Sequence, residues 1–400
     1  MSNTFNPSSL VSKQMVQSLH ARGMLINTVN KAYSKDFTQK KYVPGQTVTI
    51  DIEHQPTITS GRVANVQDVT NRTTSVTLGQ YNGSFELTSI EKGYDIDGWR
   101  KYADGIAMRL LREMETTGFT QAQKTCGNSV GNPGVEPGSL RTWAEGQAKI
   151  VDALGPDRKY YAAASPSAMV SLTDSLKNAT NPTNTISNQY ATAKMKSAMN
   201  MDFYQSTSTN RHTAGTGDNT TPIMNGASQT GSTISLTGLT TTDTVTIGTK
   251  FTIADVYAVD PETKQALPYL KQHTVTATTT ASSGNIAALP ISPEIFGTSS
   301  TFQNVSVGNA NSAAIVFLTE DEESAQGNLI YDKDALTLVS VPLPAAVGPS
   351  VHTFANYQGI QLRTGIGAWS ATDDTQVLRI DAVWAWGTLR PDHMCIVQGA

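Results

Sequence analysis

The chain has 400 residues, enough for more than one compact unit or for one core carrying insertions. Only 16% of its residues are charged, against about 25% in an ordinary globular protein, and the formal net charge is −4. This balance argues against a broad basic face for nucleic acid, and no apolar run reaches the ~18 residues needed to suggest a membrane span.

In chain order, residues 8–30 predict a helical arm. Ser8 or Ser9 is placed to cap it, Val11, Met15 and Leu19 recur at helical spacing, and Gly23 interrupts it. The opening residues carry no long apolar stretch, so no secretory signal is expected. The sequons at Asn71, Asn82 and Asn178 therefore carry no weight. In YVPGQTVTIDIEHQPTITSGR, Val48, Ile50 and Ile52 alternate with Thr47, Thr49 and Asp51, and TTSVTLGQYNGSFELTS supplies Val76, Leu78, Phe85 and Leu87. Two strands separated by a long polar excursion predict an extended hairpin rather than a compact domain.

The period then changes. Trp99, Ala103, Ile106, Leu110 and Met114 mark a long amphipathic helix, capped by Asp95 or Asp97 and ended near Gly118. Arg109, Arg112, Glu113 and Glu115 are expected on its solvated face. After a Pro- and Gly-rich loop at 130–138 comes a short helix with Trp143, Ile150 and Leu154. The stretch DRKYYAAASPSAMVSLTDSL then reads as a buried strand, a turn at Ser165–Pro166 and a helix with Pro166 near its first position.

Residues 214–308 read as short strands and turns. Ile234 and Leu236, Val245 and Ile247, and Phe251 and Ile253 alternate with Thr or Ser, which predicts a small barrel or sandwich inserted into an α+β domain. In VLRIDAVWAWGTLRP, at 377–391, Leu378, Ile380, Ala382, Trp384 and Trp386 share one face, with Arg379 and Asp381 on the other. This is read as the last packed strand, closing the α+β sheet with two tryptophans as core.

Three catalytic signatures are absent: there is no GxGxxG, GxxxxGK[ST] or HExxH. The six histidines never fall at ligand spacing and are expected on the surface or in loops. Cys126 and Cys395 form no metal or redox motif and are expected as reduced, partly buried thiols. The Asp pairs at 332 and 334 and at 373 and 374 read as turn residues or strand-edge charges. No catalytic group, cofactor or metal is predicted. The run Glu320, Asp321, Glu322, Glu323 reads either as a solvated loop or as a contact for a basic patch on a neighbouring subunit. Lys40, Lys41, Arg62 and Arg72 are the candidate partners.

Three stretches carry a resemblance. NLIYDKDALTLVSVPLP (328–344), LRIDAVWAWGTLRPDHMCIV (378–397) and GTKFTIADVYAVDPETKQALPYLKQHTVTA (248–277) are similar to runs in major capsid proteins of tailed double-stranded-DNA phages with the Hong Kong Ninety-Seven fold. They most resemble the coat-protein family of phage P-twenty-two, which carries an inserted β-barrel domain. The resemblance implies an α+β fold with an N-terminal arm (1–42), an extended β-hairpin loop (43–88) and a spine-helix region (89–129). Peripheral and axial domains (130–213 and 309–400) and an inserted barrel (214–308) complete it. It further implies a non-enzymatic subunit that self-assembles into hexamers and pentamers of a virion shell. That shell would be built in the host cytoplasm with scaffolding and portal proteins, enclosing double-stranded DNA without binding it specifically. A tail or decoration protein remains the alternative.

Overall fold

A computed structural model describes residues 23–31, 45–52, 60, 62, 66, 72–88, 98–153, 159–175, 196–218, 220–319, 324–344, 351–357 and 359–399. The chain divides into two compact units, one drawn from Met1–Ile52, Thr73–Gly118 and Leu336–Gly387, the other from Glu53–Arg72, Phe119–Ala335 and Thr388–Ala400.

The first unit is organised around the strand Thr375–Thr388. It pairs antiparallel with Gly79–Thr88, from Thr375 opposite Thr88 to Trp384 opposite Gly79, and on its other side with Ile360–Ile366. Strands Val351–Tyr357 and Leu336–Ser340 complete the sheet. The even-numbered residues predicted to face the core do so, and a long helix, Gly98–Thr125, covers them. Trp386 Nε1 donates to the Met114 carbonyl at 2.9 Å and Trp384 Nε1 to Thr117 Oγ1 at 3.3 Å. The Trp384 ring stacks on Tyr81 with centroids 3.8 Å apart. Both indoles thus bury their area with the N–H satisfied.

Several expectations are corrected here. The strand's alternation holds at Val377–Ile380, but Asp381, Val383 and Ala385 on the opposite face are buried too. The chain at Val341–Pro344 runs along that face: Val341 N donates to Val383 O, and Arg363 Nη1 to Pro344 O. Gly118 does not end the long helix. It lies inside it, where a Cβ would come within 2.6 Å of Leu25 Cδ2 and 2.8 Å of Trp386 Cε2. The glycine is a packing notch rather than a cap. Glu115 is buried instead of solvated. Its Oε1 accepts from the N–H groups of Met24 (2.6 Å) and Leu25 (3.0 Å), at the start of the short helix Leu25–Thr28. A carboxylate at exposed first-turn N–H groups is favourable, yet burial outweighs those two bonds and raises the Glu115 pKa. The arm predicted upstream of Gly23 lies outside the described residues.

The second unit holds two β structures. One is a mixed six-stranded sheet in the order Asn128–Val130, Met394–Val397, Asn328–Tyr331, Tyr160–Ala164, Met201–Gln205, Ser197–Ala198. The last packed strand is therefore the wholly buried Met394–Val397, not the tryptophan strand. Helices Leu140–Asp152 and Pro166–Ser175 pack on the sheet through Trp143, Ile150, Met169 and Leu172. The second starts at Pro166 as the sequence predicts, with Ser165 Oγ accepting from Ala168 N; the first is capped by Ser139 Oγ, which accepts from Arg141 N.

The other is a closed antiparallel barrel. Its strands run in the order Ile315–Phe317, Lys250–Val259, Ala266–Val275, Asn285–Ile295, Gly231–Thr237, Ile223–Met224. Ile223 bridges Ala314 at the start of the first of these, and Ile315 N donates to Pro222 O, so the ring returns on itself. Ile234, Leu236, Phe251, Ile253, Val275, Leu289 and Ile315 fill the interior. The closing strand lies beyond residue 308. It is three residues long, with one outward position, and is too short for period alone to reveal.

Candidate subunit-contact surfaces

The predicted hairpin exists in part, as a two-stranded ribbon of Thr47–Ile52 paired with Arg72–Thr77, whereas Phe85 and Leu87, predicted for its second strand, lie in Gly79–Thr88 and pair with Thr375–Thr388. Val48, Ile50, Val76 and Leu78 are buried, while Thr47, Thr49, Thr73, Ser75 and Thr77 are exposed. Period two thus seats one face of the ribbon base on its own unit. Gly387 permits the close approach, since a Cβ there would meet Val76 Cγ2 at 2.8 Å and Thr337 Cγ2 at 3.2 Å. No third strand pairs with either outer edge among the described residues. Of the predicted contact residues, Arg62 is exposed and Arg72 opens the second strand. Lys40, Lys41, Glu320, Asp321, Glu322 and Glu323 lie outside the described residues, as does any pairing among them.

Two surface features were not read from the sequence. The turn after Ile360–Ile366 presents Trp369, 58% exposed, with Nε1 donating to Asp374 Oδ1 at 2.9 Å. Ser370 Oγ donates to Asp373 Oδ2 in the same turn, at 3.2 Å. The Asp pair at 373 and 374 is therefore a turn, as predicted. On the sheet of the same unit lies a cavity of about 140 Å³, lined by Val341, Leu343, Phe354, Arg363 and Asp381 among others. Arg363 Nη2 reaches Asp381 Oδ2 at 2.7 Å and Arg379 Nε reaches Oδ1 at 2.8 Å. Burial alone would raise the Asp381 carboxyl, but the bonds from the two guanidinium groups and their charges hold it below the usual range. Arg379 and Asp381 two apart on one strand face were the available signal. Arg363, from the neighbouring strand, was not visible without the register.

Within the second unit, the C-terminal end of the long helix is capped by barrel side chains. Ser292 Oγ donates to Thr125 O at 3.0 Å. Lys250 Nζ donates to Cys126 O at 2.8 Å, as does Thr274 Oγ1 at 2.5 Å. A cation at the helix C-terminus complements the exposed carbonyls and the helix dipole. Lys271 pairs with Asp392 at 2.6 Å, and Lys149 Nζ reaches Ser129 O and Gln272 Oε1. Burial lowers the pKa of Lys250 and Lys149.

The histidine expectation fails at three positions. His212, His273 and His393 are buried. His273 Nδ1 sits 2.9 Å from the Pro293 carbonyl oxygen, which can only accept, so Nδ1 carries the proton. Nε2 has no partner, and burial lowers the pKa to about 4. Cys126 and Cys395 are free and fully buried, with burial pushing both thiols up, so neither is a ready nucleophile. Among the described residues no group of His, Cys, Asp and Glu could hold a metal ion, and no helix is long and apolar enough to cross a membrane.

The family described as P22 coat protein, gene protein 5, matches residues 8–398 of the chain. No curated protein sequence matches it. Among solved structures it is similar to one from Mycobacterium phage Che8 (8% identity, TM-score 0.49, covering 94% of this chain and 90% of that one). It is also similar to the asymmetric unit of the bacteriophage PhiM1 mature capsid (12%, 0.42, 88% and 82%). A third similarity is to the capsid of Ralstonia phage GP4 (11%, 0.40, 86% and 79%).

Proposed function

We propose, from the premise that the chain belongs to the P22 coat protein family and is thus a major capsid protein of a bacteriophage, that its copies join as hexamers and pentamers through the ribbon and the N-terminal arm. The protein is structural and non-enzymatic, resides in the virion, and assembles with itself into an icosahedral shell. The observation that supports the finer reading is the ribbon. Two strands anchored at one end, with both outer edges open among the described residues, offer rows of backbone donors and acceptors that an adjacent copy can pair. Repetition of modest contacts around closed rings then multiplies into a durable shell.

On this reading, the extended loop is carried by the ribbon strands Thr47–Ile52 and Arg72–Thr77 and ends before Gly79, residues 89–129 are the spine region, and the inserted domain runs from 214 past 308 through its closing strand Ile315–Phe317. Residues 130–213 and the chain after Phe317 form the peripheral and axial domains. Scaffolding and portal proteins are its assembly partners in the host cytoplasm. The double-stranded DNA inside is held without specific contacts, which the net charge of −4 favours.

The test replaces residues 53–71 by Asn-Gly and follows assembly by electron microscopy. The expected result is a folded subunit, with unchanged tryptophan fluorescence, that forms no closed shells. Normal shells from this variant would overturn the ribbon's role.

A further inference from the structure

We infer that Lys250, Thr274 and Ser292 are the positioning residues that fix the barrel in one orientation on the end of the long helix, with the Lys250 ammonium as their anchor. This role goes beyond the shell reading and holds for a single chain, assembled or not.

The three residues form one row across three adjacent strands. Lys250 lies opposite Thr274, and Thr274 lies opposite Ser292. Directly opposed residues point to the same face of a sheet, and chain neighbours point to the other. The neighbours Phe251, Val275 and Ile291 fill the barrel interior, so the row faces outward.

All three donors reach the same helix end. Ser292 Oγ takes the Thr125 carbonyl, while Lys250 Nζ and Thr274 Oγ1 take that of Cys126. Lys250 Nζ also donates to Thr274 Oγ1 at 2.8 Å. That bond occupies a lone pair of the hydroxyl and leaves its proton for Cys126. The next residue on this outward face, Gln272, accepts from Ser129 N at 2.7 Å, just beyond the helix.

Stability alone does not require such a row. Lys250 is 6% exposed, and no carboxylate pairs with its ammonium among the described residues. Burial disfavours that charge, and an apolar side chain of similar length would fill the space without the desolvation cost. What the polar row supplies is direction. The barrel interior and the core of the mixed sheet are separate apolar clusters. Bonds from one rigid row of strand residues to two successive carbonyls admit one geometry, and a shift of the barrel would leave buried carbonyls bare.

The test places spin labels on the dilute, unassembled full chain at Glu262→Cys, in the turn joining two barrel strands, and at Val170→Cys, on helix Pro166–Ser175. Both sites are exposed, and the native thiols are buried. Double electron–electron resonance should give one narrow distance distribution. Lys250→Met keeps the length and removes the donor. It should widen the distribution about twofold while barrel amides stay protected from hydrogen exchange. Thr274→Val should widen it less, and Thr274→Ser, which keeps the hydroxyl, should leave it narrow. A broad distribution in the parent chain, or a narrow one retained in Lys250→Met, would overturn the assignment. If Lys250→Met unfolds the barrel, the double variant Thr274→Val with Ser292→Ala decides, and an unchanged width there overturns it equally. None of these outcomes bears on the shell reading.

Discussion

The barrel of the second unit and the ribbon of the first are both built from Thr-rich strands with one apolar face, yet they solve the edge problem in opposite ways. In the barrel, the pairing of Ile223 with Ala314 joins the outermost strands and leaves no edge. Phe251, Leu236 and Leu289 then fill a private interior. In the ribbon, only the base is seated, through Val48, Ile50, Val76 and Leu78, and pairing stops at two strands. A closed ring of strands is complete within one chain. An isolated two-stranded sheet is marginal in water and gains from a further partner. The same residue chemistry thus yields a self-sufficient domain in one place and a connector in the other.

That contrast can be broken most forcefully at Phe251, which is fully buried in the barrel. Phe251→Ala should cost about 3–5 kcal/mol, mainly in the barrel. All five tryptophans lie outside Ile223–Phe317, so hydrogen exchange of barrel amides should accelerate while tryptophan fluorescence holds. A coincident loss of both signals would show that the barrel is not self-sufficient.

Acid sharpens the same point with a slightly smaller effect. His273 is buried with its folded-state pKa lowered to about 4, below the ordinary 6.5. Its ring packs on Phe251, and Lys271 and Asp392 are the charged groups that act on it. The unfolded chain takes up the proton first, so stability is full above pH 6.5 and drains as pH falls toward 4. The expected loss is about 3 kcal/mol across that window. Denaturant titration of barrel amides at pH 7 and pH 4.5 measures it, and His273→Phe should flatten the slope.

The smallest effect belongs to the first unit. Gly118→Ala should cost about 1–3 kcal/mol, because the added methyl meets Leu25 and the Trp386 ring inside van der Waals contact. It should blue- or red-shift tryptophan emission without altering barrel exchange. An unchanged spectrum and stability would mean that the helix and the tryptophan strand are less tightly packed than described.

Much of the local structure was legible. Period four drew the long helix and the Ser-Pro pair drew a turn and a helix start. Period two drew the ribbon base, the barrel strands and the tryptophan face. Errors gathered where a residue's role depends on what covers it. Glu115 reads as solvated because its helix neighbours are charged, yet it caps a helix some ninety positions upstream. Asp381 reads as lying on the strand face turned away from the core, yet Arg363 and the chain at Val341–Pro344 bury it. Trp369 gave no signal, since one aromatic in a polar turn has no period. The eight charged residues expected as subunit contacts rest on opposite sign and on the place of the basic ones in or beside the hairpin, and the described residues include only Arg62 and Arg72 of them.

The sequence by itself determined which stretches extend, which coil and which of their faces are apolar, because those properties follow from side-chain spacing along a fixed backbone repeat. The tertiary structure alone decided that Gly118 is a notch, that Ile315–Phe317 closes the barrel, and that Lys250 ends up beneath the last carbonyls of the long helix. Each of those depends on surfaces brought together from distant parts of the chain, and no local repeat encodes which surface arrives.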